Sequence, residues 1–511
     1  MVLSKNNLKH IHSFSVLKPD EKLFELPEKV LQFGTGVLLR GLPDYFIDNA
    51  NRQGIFNGRI VVVKSTSVSD TEVFNKQDAL YTHCIRGIED GVKKHENIIN
   101  CAISRVLSAS NEWEKILDCA LNLNMKLIIS NTTEIGIQLV HEDVRRHPPV
   151  SFPGKLLAFL YHRYVAFSGC NESGMIIIPT ELIPENGKKL KSIVMELARG
   201  NGLEDTFIEW LECRNHFCNS LVDRIVPGHS SMELQTLLEK ELGYTDNLSL
   251  ISEAYCLWAI ESNEETKKVL TFAGLHKGVI LAENIELYRE LKLRLLNGSH
   301  ILACSLAFLA GCETVQQAME DEILSRYIID VMKSEIAMGI PYEVDHVVAQ
   351  KFASQVLDRF RNKEIQHHWI NITTHYSLKM KMRVIPVVLK YYELYHHSPE
   401  LISLGFAAYV FFMKALKEVD GIFYGEVEGN DYVINDDSAG LFMERWKTMP
   451  PSELVHVVIN DIEFWDADLR SINDFQNSVL QKLEMIIKKG IKETISFVQS
   501  HMIFANESQR C

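Results

Sequence analysis

The chain has 511 residues, of which 46% are apolar and 23% charged, and its formal net charge is −14. This composition is typical of a globular protein with two or three domains and excludes a largely disordered chain. The acidic balance argues against nucleic acid as a partner, because a phosphate backbone is bound through clustered Lys and Arg.

The cysteines and the apolar runs indicate the compartment. The ten cysteines are scattered and include no C-x-x-C pair, so free thiols in a reducing cytosol are expected. Residues 1–20 lack the apolar core of a signal peptide. The apolar runs 301–312 and 404–413 are shorter than the ~20 residues that span a bilayer. We therefore expect a cytoplasmic protein without a membrane partner.

The first elements along the chain alternate between strand and helix. Residues 30–33 form a short β-rich run, a glycine turn and a helical stretch follow, and 59–64 is a second β-rich run. Further buried strands are predicted at 126–130 and 175–178. This alternation predicts a doubly wound parallel sheet covered on both faces, in an α/β domain over residues 1–285.

The turn Gly34-Thr35-Gly36 lies where a Rossmann-like domain binds a dinucleotide. The first glycine permits the tight turn, and the second lets a pyrophosphate approach the backbone. The sixth position of the usual fingerprint is Leu39 instead of glycine, so the alternative is that the two glycines only shape the turn. Lys64 stands where an acidic residue would bind the ribose hydroxyls of NAD, which leaves NADP open.

Beyond residue 285, long segments with helical periodicity follow one another, and almost no strand is predicted. These segments are 287–311, 313–337, 343–361, 364–382, 398–417 and 474–499. Residues 417–440 are predicted to form a long polar loop. We therefore expect a mostly α-helical C-terminal domain over 286–511 that carries the substrate site and the catalytic groups.

Lys292, Asn297 and His300 interrupt an apolar segment of the first of these helices. At about 100° per residue, the three side chains fall within one broad face of an α-helix. A lysine withdrawn from water releases its proton more readily, so Lys292 is a candidate acid or base. Asn297 could donate to a developing alkoxide, and His300 could orient the lysine or a hydroxyl.

A structural role for these residues is the alternative. Lys292 and Arg294 would then extend to solvent. Asn297 and Gly298 would mark a helix irregularity, and His300 would be a core histidine.

The spacing Lys292-x4-Asn297-x2-His300 resembles the signature of the polyol-specific long-chain dehydrogenase/reductase family. That family includes mannitol 2-dehydrogenase, fructuronate reductase and tagaturonate reductase. Four further blocks are similar to its motifs and follow in its order: QFGTGVLLRG (32–41), QDALYT (77–82), SNTTEIGI (130–137) and CNSLVDRIVPG (218–228). Taken together, the matches between residues 30 and 386 make a chance resemblance improbable.

The residues of several blocks are similar to those of the tagaturonate-reducing branch of that family. These blocks are LYTHCIRG, SNTTEIG, PTELI and FCNSLVDRIV. Glu181 and Leu182 stand where mannitol dehydrogenases usually have Asp-Asn, which favours the uronate branch. Gln366 stands where the family has a basic residue, a departure that puts one polar contact in doubt.

The resemblance implies reversible, NAD-dependent reduction of tagaturonate to altronate in hexuronate catabolism. Lys292 would be the general acid, the amides of Asn219 and Asn297 would stabilise the alkoxide, and His300 would align Lys292 or bind a substrate hydroxyl. The implied cofactor-binding residues are Leu31, Gln32, Phe33, Gly34, Thr35, Gly36, Val37, Leu38, Leu39, Arg40 and Asn131.

A uronate carries a carboxylate, which must meet a cation if it is buried. The stretch SLKMKMRVIP (377–386) offers Lys379, Lys381 and Arg383. In a helix, Lys379 and Arg383 share a face as i,i+4 neighbours, and Lys379 matches a substrate-site lysine of the family. A solvated basic face is the alternative.

Other functions stay open at this point. Fructuronate reductase and mannitol 2-dehydrogenase would share the same three residues and differ in the substrate pocket. A non-catalytic dinucleotide-binding regulator would not need Lys292. No metal is expected, since the histidine pairs lack Cys or carboxylates at ligand spacing. The sequence does not determine the oligomeric state.

Overall fold

The computed structural model describes residues 1–65, 71–132, 136–228, 232–364 and 366–508. The chain divides into two compact units, Met1–Ile285 and Glu286–Cys511. Residues 133–135, which belong to the block 130–137, lie outside the described residues.

The first unit contains thirteen strands in its described part. They are β1 (Val16–Leu17), β2 (Glu28–Phe33), β3 (Arg59–Lys64), β4 (Tyr81–Glu89), β5 (Val92–Asn100), β6 (Ile103–Ser108), β7 (Leu127–Ser130), β8 (Ile176–Pro179), β9 (His216–Phe217), β10 (Ser220–Asp223), β11 (Leu250–Glu253), β12 (Leu257–Glu261) and β13 (Val279–Ala282).

Helices connect these strands. The α-helices are α1 (Val37–Gly41), α2 (Pro43–Arg52), α3 (Glu72–Lys76), α4 (Trp113–Asp118), α5 (Phe152–Phe167), α6 (Asn186–Gly200), α7 (Asp205–Arg214), α8 (Met232–Leu242) and α9 (Glu264–Val269). Short 3₁₀ helices cover Lys5–His10, Glu21–Glu25, Cys119–Leu121, Asn171–Ser173 and Thr271–Leu275.

The central sheet of the first unit has six parallel strands in the order β6-β3-β2-β7-β8-β9. Numbered along the chain, this is the 3-2-1-4-5-6 order of a Rossmann fold, which confirms the predicted fold class of this unit. The order reverses between β2 and β7. Ligands of such sheets bind in the crevice at that reversal, beyond the carboxyl ends of the strands.

The sheet is buried on both faces, which explains its near-continuous apolar strands. Every residue of β3 is buried. Val61 and Val63 pack into one core with residues of α4 to α7, whereas Ile60 and Val62 face a second core with residues of α2. The strands predicted at 30–33, 59–64, 126–130 and 175–178 are confirmed to within two residues.

Two smaller sheets of the first unit were not predicted. One has the order β1-β5-β4-β11, and the other has the order β10-β12-β13. In β5, exposed and buried residues mix, and Lys93, Lys94 and His95 dilute its apolar pattern. Such a strand gives no continuous apolar run, and its place in a sheet depends on pairing with β4.

The second unit is mostly helical, as predicted. Its α-helices are α10 (Glu286–Leu291), α11 (Ser299–Leu309), α12 (Val315–Glu320), α13 (Glu322–Asp330), α14 (His346–Phe360), α15 (Trp369–Ile372), α16 (Tyr376–Arg383), α17 (Ile385–Tyr395), α18 (Glu400–Phe412), α19 (Ala439–Thr448), α20 (Pro451–Ile459), α21 (Ile462–Trp465), α22 (Phe475–Lys489) and α23 (Ile491–Ser508). A 3₁₀ helix covers Leu469–Ser471.

The polar loop predicted over 417–440 is wrong. The segment contains a three-stranded antiparallel meander of β14 (Lys417–Val419), β15 (Ile422–Val427) and β16 (Asn430–Ile434). Its turns contain Gly421 and Gly429, which both have positive φ angles. Such glycines permit tight hairpin turns, so the polar, glycine-containing sequence marked hairpins and was misread as a loop.

The prediction of a single α-helix over 287–311 is also wrong in one respect. Between α10 and α11 lies a π-helix, Lys292–Gly298, which contains both Lys292 and Asn297. A π-helix is hydrogen-bonded from i to i+5, so the 100° spacing of an α-helix does not apply within it. A second π-helix, Val331–Ile336, packs against the first.

Other predicted helices are interrupted. The segment 364–382 is broken between α15 and α16, where His375 adopts a left-handed conformation with φ +52°. The segment 313–337 divides at Asp321, whose carboxylate caps α13. None of the helices that the structure describes is both long enough and apolar enough for a membrane span.

Candidate active site

The glycine turn follows β2 directly at the reversal of the strand order. Gly34 has φ +127°, and a Cβ added there would lie 2.8 Å from the carbonyl oxygen of Asn131. The backbone amide of Asn131 donates to the carbonyl of Phe33 at 3.1 Å, so the ends of β2 and β7 meet at this point. Gly34 is therefore required by the fold itself.

Gly36 differs from Gly34, because the protein does not need a glycine there. It is exposed, its φ is −63°, and nothing lies within 4 Å of an added Cβ. The space beside Gly36 is open at the first turn of α1, as close approach of a pyrophosphate requires. The turn therefore fits a dinucleotide.

The remaining residues of the turn support it from behind or line it. Leu31, Gln32, Phe33 and Leu39 are buried, whereas Thr35, Val37 and Leu38 are half-buried. Arg40 is buried, and its guanidinium donates to the backbone carbonyls of Thr35 and Leu248 and lies over the Tyr81 ring. Arg40 therefore braces the turn within the first unit.

Asn131 and Glu181 fix the segment that follows β7. The side-chain amide of Asn131 donates to the carbonyl and hydroxyl oxygens of Thr180 at 3.2 and 3.0 Å. The buried carboxylate of Glu181 accepts from the amide and hydroxyl of Thr132 and from the hydroxyl of Ser130. Glu181 thus holds the loop next to the glycine turn, and Leu182 is exposed.

Asn219 lies directly before β10 and is buried. Its side-chain oxygen accepts from the amide of Lys188 at 3.1 Å, and its side-chain nitrogen donates to Glu261 at 2.7 Å. Gly187 permits this approach, since a Cβ there would lie 2.7 Å from the Asn219 amide nitrogen. Because an amide nitrogen carries two hydrogens, Asn219 retains capacity for a second acceptor.

In the second unit, Arg294 connects the π-helix to α16. Its guanidinium pairs with Glu290 at 2.9 Å and donates to the carbonyls of Met382 and Arg383 at 2.6 and 3.1 Å. Both Arg294 and Glu290 are buried. The interpretation in which Arg294 extends to solvent is therefore wrong, because its charge is satisfied inside the unit.

The other end of α16 is fixed to α11. The Tyr376 hydroxyl donates to the carbonyl of Ile301 and contacts the Ser305 hydroxyl, both at 2.9 Å. With Arg294 bonded to the last residues of α16, the two helical segments run antiparallel and side by side. Gly298 lies at their contact. A Cβ added to Gly298 would lie 3.7 Å from the carbonyl oxygen of Arg383.

The carbonyl groups at the end of the π-helix are satisfied by a side chain. The Ser299 hydroxyl is fully buried and lies within hydrogen-bond distance of the carbonyl oxygens of Leu295 and Leu296, at 2.5 and 3.1 Å. A change from π- to α-helix leaves such carbonyls without regular partners. Ser299 therefore stabilises the junction that separates Asn297 from His300.

His300 is enclosed by aromatic side chains. Its ring stacks on Phe360 at 4.2 Å and meets His367 at 5.0 Å and Trp369 at 5.9 Å edge-on. Burial lowers the pKa of His300 well below its usual value, and the nearby His367, Arg359 and Arg383 add to this effect. His300 is therefore a neutral imidazole near pH 7.

The imidazole of His300 has bonding capacity left. Its Nε2 atom is buried and has no hydrogen-bond partner among the residues that the structure describes. The indole nitrogen of Trp369 is likewise buried without a hydrogen-bond partner among the described residues. Buried polar atoms are usually satisfied, so an unpartnered imidazole nitrogen is consistent with a ligand hydroxyl at this place.

The predicted cations lie on α16. Lys379 and Arg383 are i,i+4 neighbours, and burial lowers the pKa of each, with the Arg383 charge adding to the effect at Lys379. Lys379 donates to the carbonyl of Ile372 at 2.9 Å. Lys381 instead pairs with the exposed Asp466 at 2.5 Å, which places it apart from the other two.

Lys292 and Asn297 are half-buried in the π-helix, which is a frequent location of functional residues. Within the second unit, Lys292, Asn297, His300, Lys379 and Arg383 therefore lie on two helical segments that pack together.

Sequence reasoning missed His367, Phe360 and Trp369, although they enclose His300. In the sequence, His367 is distinguished only as half of the pair His367-His368. Gln366, where a basic residue was expected, is exposed, and the half-buried neighbour His367 faces the site. In the described part of the chain, no group of three or more potential ligands is placed to hold a metal ion.

Lys64 ends β3 and is buried. The segment 66–70 that follows it lies outside the described residues. Lys64 therefore stands at the carboxyl end of β3, the edge of a Rossmann sheet at which a dinucleotide binds.

Comparison with known proteins identifies the class to which this fold and site belong. The Rossmann domain of mannitol dehydrogenase matches residues 28–274, and the C-terminal domain of mannitol dehydrogenase matches residues 284–487. The chain belongs to the mannitol dehydrogenase family, whose members are oxidoreductases acting on CH–OH groups.

Two relatives place the chain more narrowly. An altronate oxidoreductase of Halalkalibacterium halodurans is 35% identical over 488 residues, which cover 93% of this chain and 94% of the relative. An altronate oxidoreductase of Bacillus subtilis is 35% identical over 479 residues, with 92% and 95% covered. The resemblance inferred from the sequence blocks is thereby confirmed.

Solved structures confirm the fold. D-sorbitol dehydrogenase in its substrate-free form has a TM-score of 0.78 at 20% identity, over 97% of this chain and all of that chain. Pseudomonas fluorescens mannitol 2-dehydrogenase, solved as a ternary complex with NAD and D-mannitol, has a TM-score of 0.68 at 20% identity, over 98% and 100% of the two chains.

The two glycines of the turn give matched variants. Gly34→Ala should lower the free energy of unfolding by about 1–3 kcal/mol, because the methyl group meets the Asn131 carbonyl at a strained φ. Gly36→Ala should leave unfolding unchanged but weaken binding of NADH, because its methyl group fills open space at the turn. Thermal unfolding and NADH titration of both variants test this. Unchanged NADH binding in Gly36→Ala would show that the pyrophosphate does not approach Gly36.

Proposed function

We propose that this protein catalyses the reversible, NAD-dependent reduction of tagaturonate to altronate in hexuronate catabolism. The observation that carries the proposal is the pairing of the π-helix with α16. It gathers a lysine, an amide and a neutral imidazole on one segment with two partly buried cations on the next. The altronate oxidoreductases at 35% identity support the choice of substrate.

The proton and the developing charge would be handled by side chains of the chain itself. NADH would supply the hydride to the keto carbon of the substrate. The ammonium of Lys292 would then give its proton to the alkoxide oxygen, and the amide of Asn297 would donate a hydrogen bond to that oxygen. In the direction of altronate oxidation, neutral Lys292 would accept the proton of the hydroxyl.

Asn219 and His300 would contribute hydrogen bonds. One hydrogen of the Asn219 side-chain nitrogen goes to Glu261, and the second would go to the alkoxide, as the family resemblance implies. His300 is neutral, so its unpartnered Nε2 would form a hydrogen bond with a substrate hydroxyl without adding charge to the site.

The substrate carboxylate would bind on the cationic side of this site. Lys379 and Arg383 carry charge in a place where burial lowers the pKa of both, so an anion there would gain more than at an exposed lysine. Arg359 and Arg383 also lower the pKa of His300, which places their positive charge beside the imidazole. A sugar acid would place a negative charge near these cations, and a neutral polyol would not.

We propose NAD as the cofactor. The complex of mannitol 2-dehydrogenase, which shares this fold, contains NAD. The cysteines in the described part of the chain are free thiols, which fits an enzyme of the reducing cytoplasm acting on a small molecule.

A substrate panel tests the proposal directly. NADH oxidation by the purified protein should be rapid with tagaturonate and much slower with fructuronate and fructose. Replacing NADH with NADPH should lower kcat/KM. A preference for fructuronate or fructose would move the substrate within the family. NADH binding without turnover of any ketone would instead support a non-catalytic regulator.

Lys292→Ala tests the proton transfer. Loss of a positioned general acid should reduce kcat by about 10²–10⁴-fold while the dissociation constant for NADH stays near the wild-type value. Added small primary amines should restore part of the activity, because they can replace the missing ammonium. Turnover of the variant at the wild-type rate would exclude Lys292 as the acid.

Lys379→Met and Lys381→Met form a matched pair on α16. Lys379→Met should raise KM for tagaturonate by about tenfold or more, since a charged hydrogen bond to the substrate carboxylate is worth about 1.5–3 kcal/mol. Lys381→Met should leave KM nearly unchanged, because this lysine pairs with Asp466. Equal changes in both variants would indicate a general effect of positive charge, with no specific contact at Lys379.

A further inference from the structure

Two polar side chains lie directly behind the glycine turn, fully enclosed by the first unit. Gln32 on β2 and Asp44 on α2 have no exposed surface. The side-chain nitrogen of Gln32 donates to the carbonyl oxygen of Gly34 at 3.3 Å and lies 3.5 Å from Oδ2 of Asp44. A chain of contacts therefore leads from Asp44 through Gln32 to the turn.

The Gln32 side-chain nitrogen is the one donor group of this pair, and it does not satisfy two of the pair's oxygens. Oε1 of Gln32 and Oδ1 of Asp44 are both buried and have no partner within the described ranges. If Asp44 were ionised, both oxygens could only accept hydrogen bonds, and a carboxylate would be buried without an adjacent donor for Oδ1. A protonated carboxyl carries one O–H, which is the donor that these two oxygens lack.

The charges that face Asp44 do not replace that proton. The hydrogen bond from Gln32 and the charge of Arg40 on α1 favour ionisation of Asp44, but the Arg40 guanidinium donates to the carbonyls of Thr35 and Leu248. Asp48 opposes ionisation from the next turn of α2, and Tyr81 faces Asp44 from β4. Burial dominates these effects and raises the pKa of Asp44 to about 8.

We propose that Asp44 is a positioning residue of the cofactor turn and that it acts as a neutral carboxylic acid. Its O–H engages the amide oxygen of Gln32, and the amide nitrogen of Gln32 holds the carbonyl of Gly34. Ionisation of Asp44 would remove this donor and place a negative charge behind the turn, where the cofactor's pyrophosphate would bind. The inference rests on the proposed NADH binding at Gly34 and Gly36.

The inference has a measurable consequence for cofactor affinity. If only the form with neutral Asp44 binds NADH well, the dissociation constant should rise by about tenfold for each pH unit above the ionisation of Asp44. Below that pH the affinity should be constant. A merely structural role for Asp44 would not produce this profile.

The experiment compares NADH titrations of the wild type and Asp44→Asn from about pH 6.5 to about pH 9.5, a range that spans the ionisation. Asparagine is neutral at every pH and supplies a side-chain donor, so the variant should bind NADH within about twofold of the wild type at the lower pH. Its affinity should then stay constant where that of the wild type falls. A variant with the pH profile of the wild type would overturn the inference.

Gln32→Leu provides a second test that leaves Asp44 in place. It removes the link between the acid and the turn, so its NADH affinity at about pH 6.5 should fall toward the alkaline value of the wild type. Wild-type affinity with the wild-type pH profile would overturn the inference. Absence of NADH binding in the wild type itself would overturn the proposed function together with it.

The stability of the folded protein should also depend on the protonation of Asp44. Because the pKa of Asp44 is raised in the folded protein, folding retains a proton that the unfolded chain releases above about pH 4. The contribution of Asp44 to stability is therefore complete at low pH and is lost as the pH rises toward about 8. Asp44→Asn should abolish this part of the pH dependence of thermal unfolding, and its persistence in the variant would contradict a neutral acid at this position.

Discussion

The buried guanidinium of Arg294 is the interaction on which the candidate site of the second unit depends. A buried charge is costly unless it is paired and its hydrogen bonds are satisfied. Arg294 meets both conditions, with Glu290 one helical turn away and two backbone carbonyls at the end of α16. Those carbonyls belong to Met382 and Arg383, so the bond determines where the cations of α16 lie relative to the π-helix. Removal of the guanidinium would leave Glu290 and two carbonyls without their donors.

The first unit depends on a comparable constraint at Gly34. The strand order of the sheet brings the ends of β2 and β7 together, and the carbonyl of Asn131 then leaves no room for a side chain at Gly34. Glu181 fixes the neighbouring loop, and Gln32 supports the turn from behind. As a member of the mannitol dehydrogenase family, this oxidoreductase thus builds its nucleotide turn from backbone geometry, with charged side chains used mainly as internal braces.

Part of this structure could be predicted from the sequence. The buried strands of the central sheet are short β-branched runs, so β3 and β7 were predicted nearly to the residue. The hairpins over 417–434 were missed, because a mostly exposed strand such as β14 has no apolar face to reveal it. The π-helix was missed for a different reason. Its residues are apolar at helical spacing, a pattern that does not distinguish i+4 from i+5 bonding, and the contact of Ser299 with the Leu295 carbonyl gives no signal in the sequence.

The candidate site shows the same division. Lys292, Asn297 and His300 can be proposed from the sequence because their spacing is a signal, and Lys379 and Arg383 because i,i+4 cations share a face of α16. His367 gave no such signal. It approaches His300 from the segment before α15, where the His367 carbonyl accepts from the amide of Val315, and Phe360 completes the ring cluster. Side chains that meet through loops are not ordered by any periodicity along the chain.

The π-helix makes the length of this segment as important as its composition. A π-turn holds one more residue than an α-turn, so it can be regarded as an α-helix that carries an extra residue. Deletion of one residue from 292–298 would let α10 and α11 join as a continuous α-helix. The two flanking helices would keep nearly the same orientation, because the π-turn had absorbed the extra residue, and the residues within 292–298 would move relative to them. Lys292 and Asn297 would no longer face the same neighbours, even with every proposed catalytic residue still present. The separation of these two residues is thus a property of chain length that substitutions alone would not reveal.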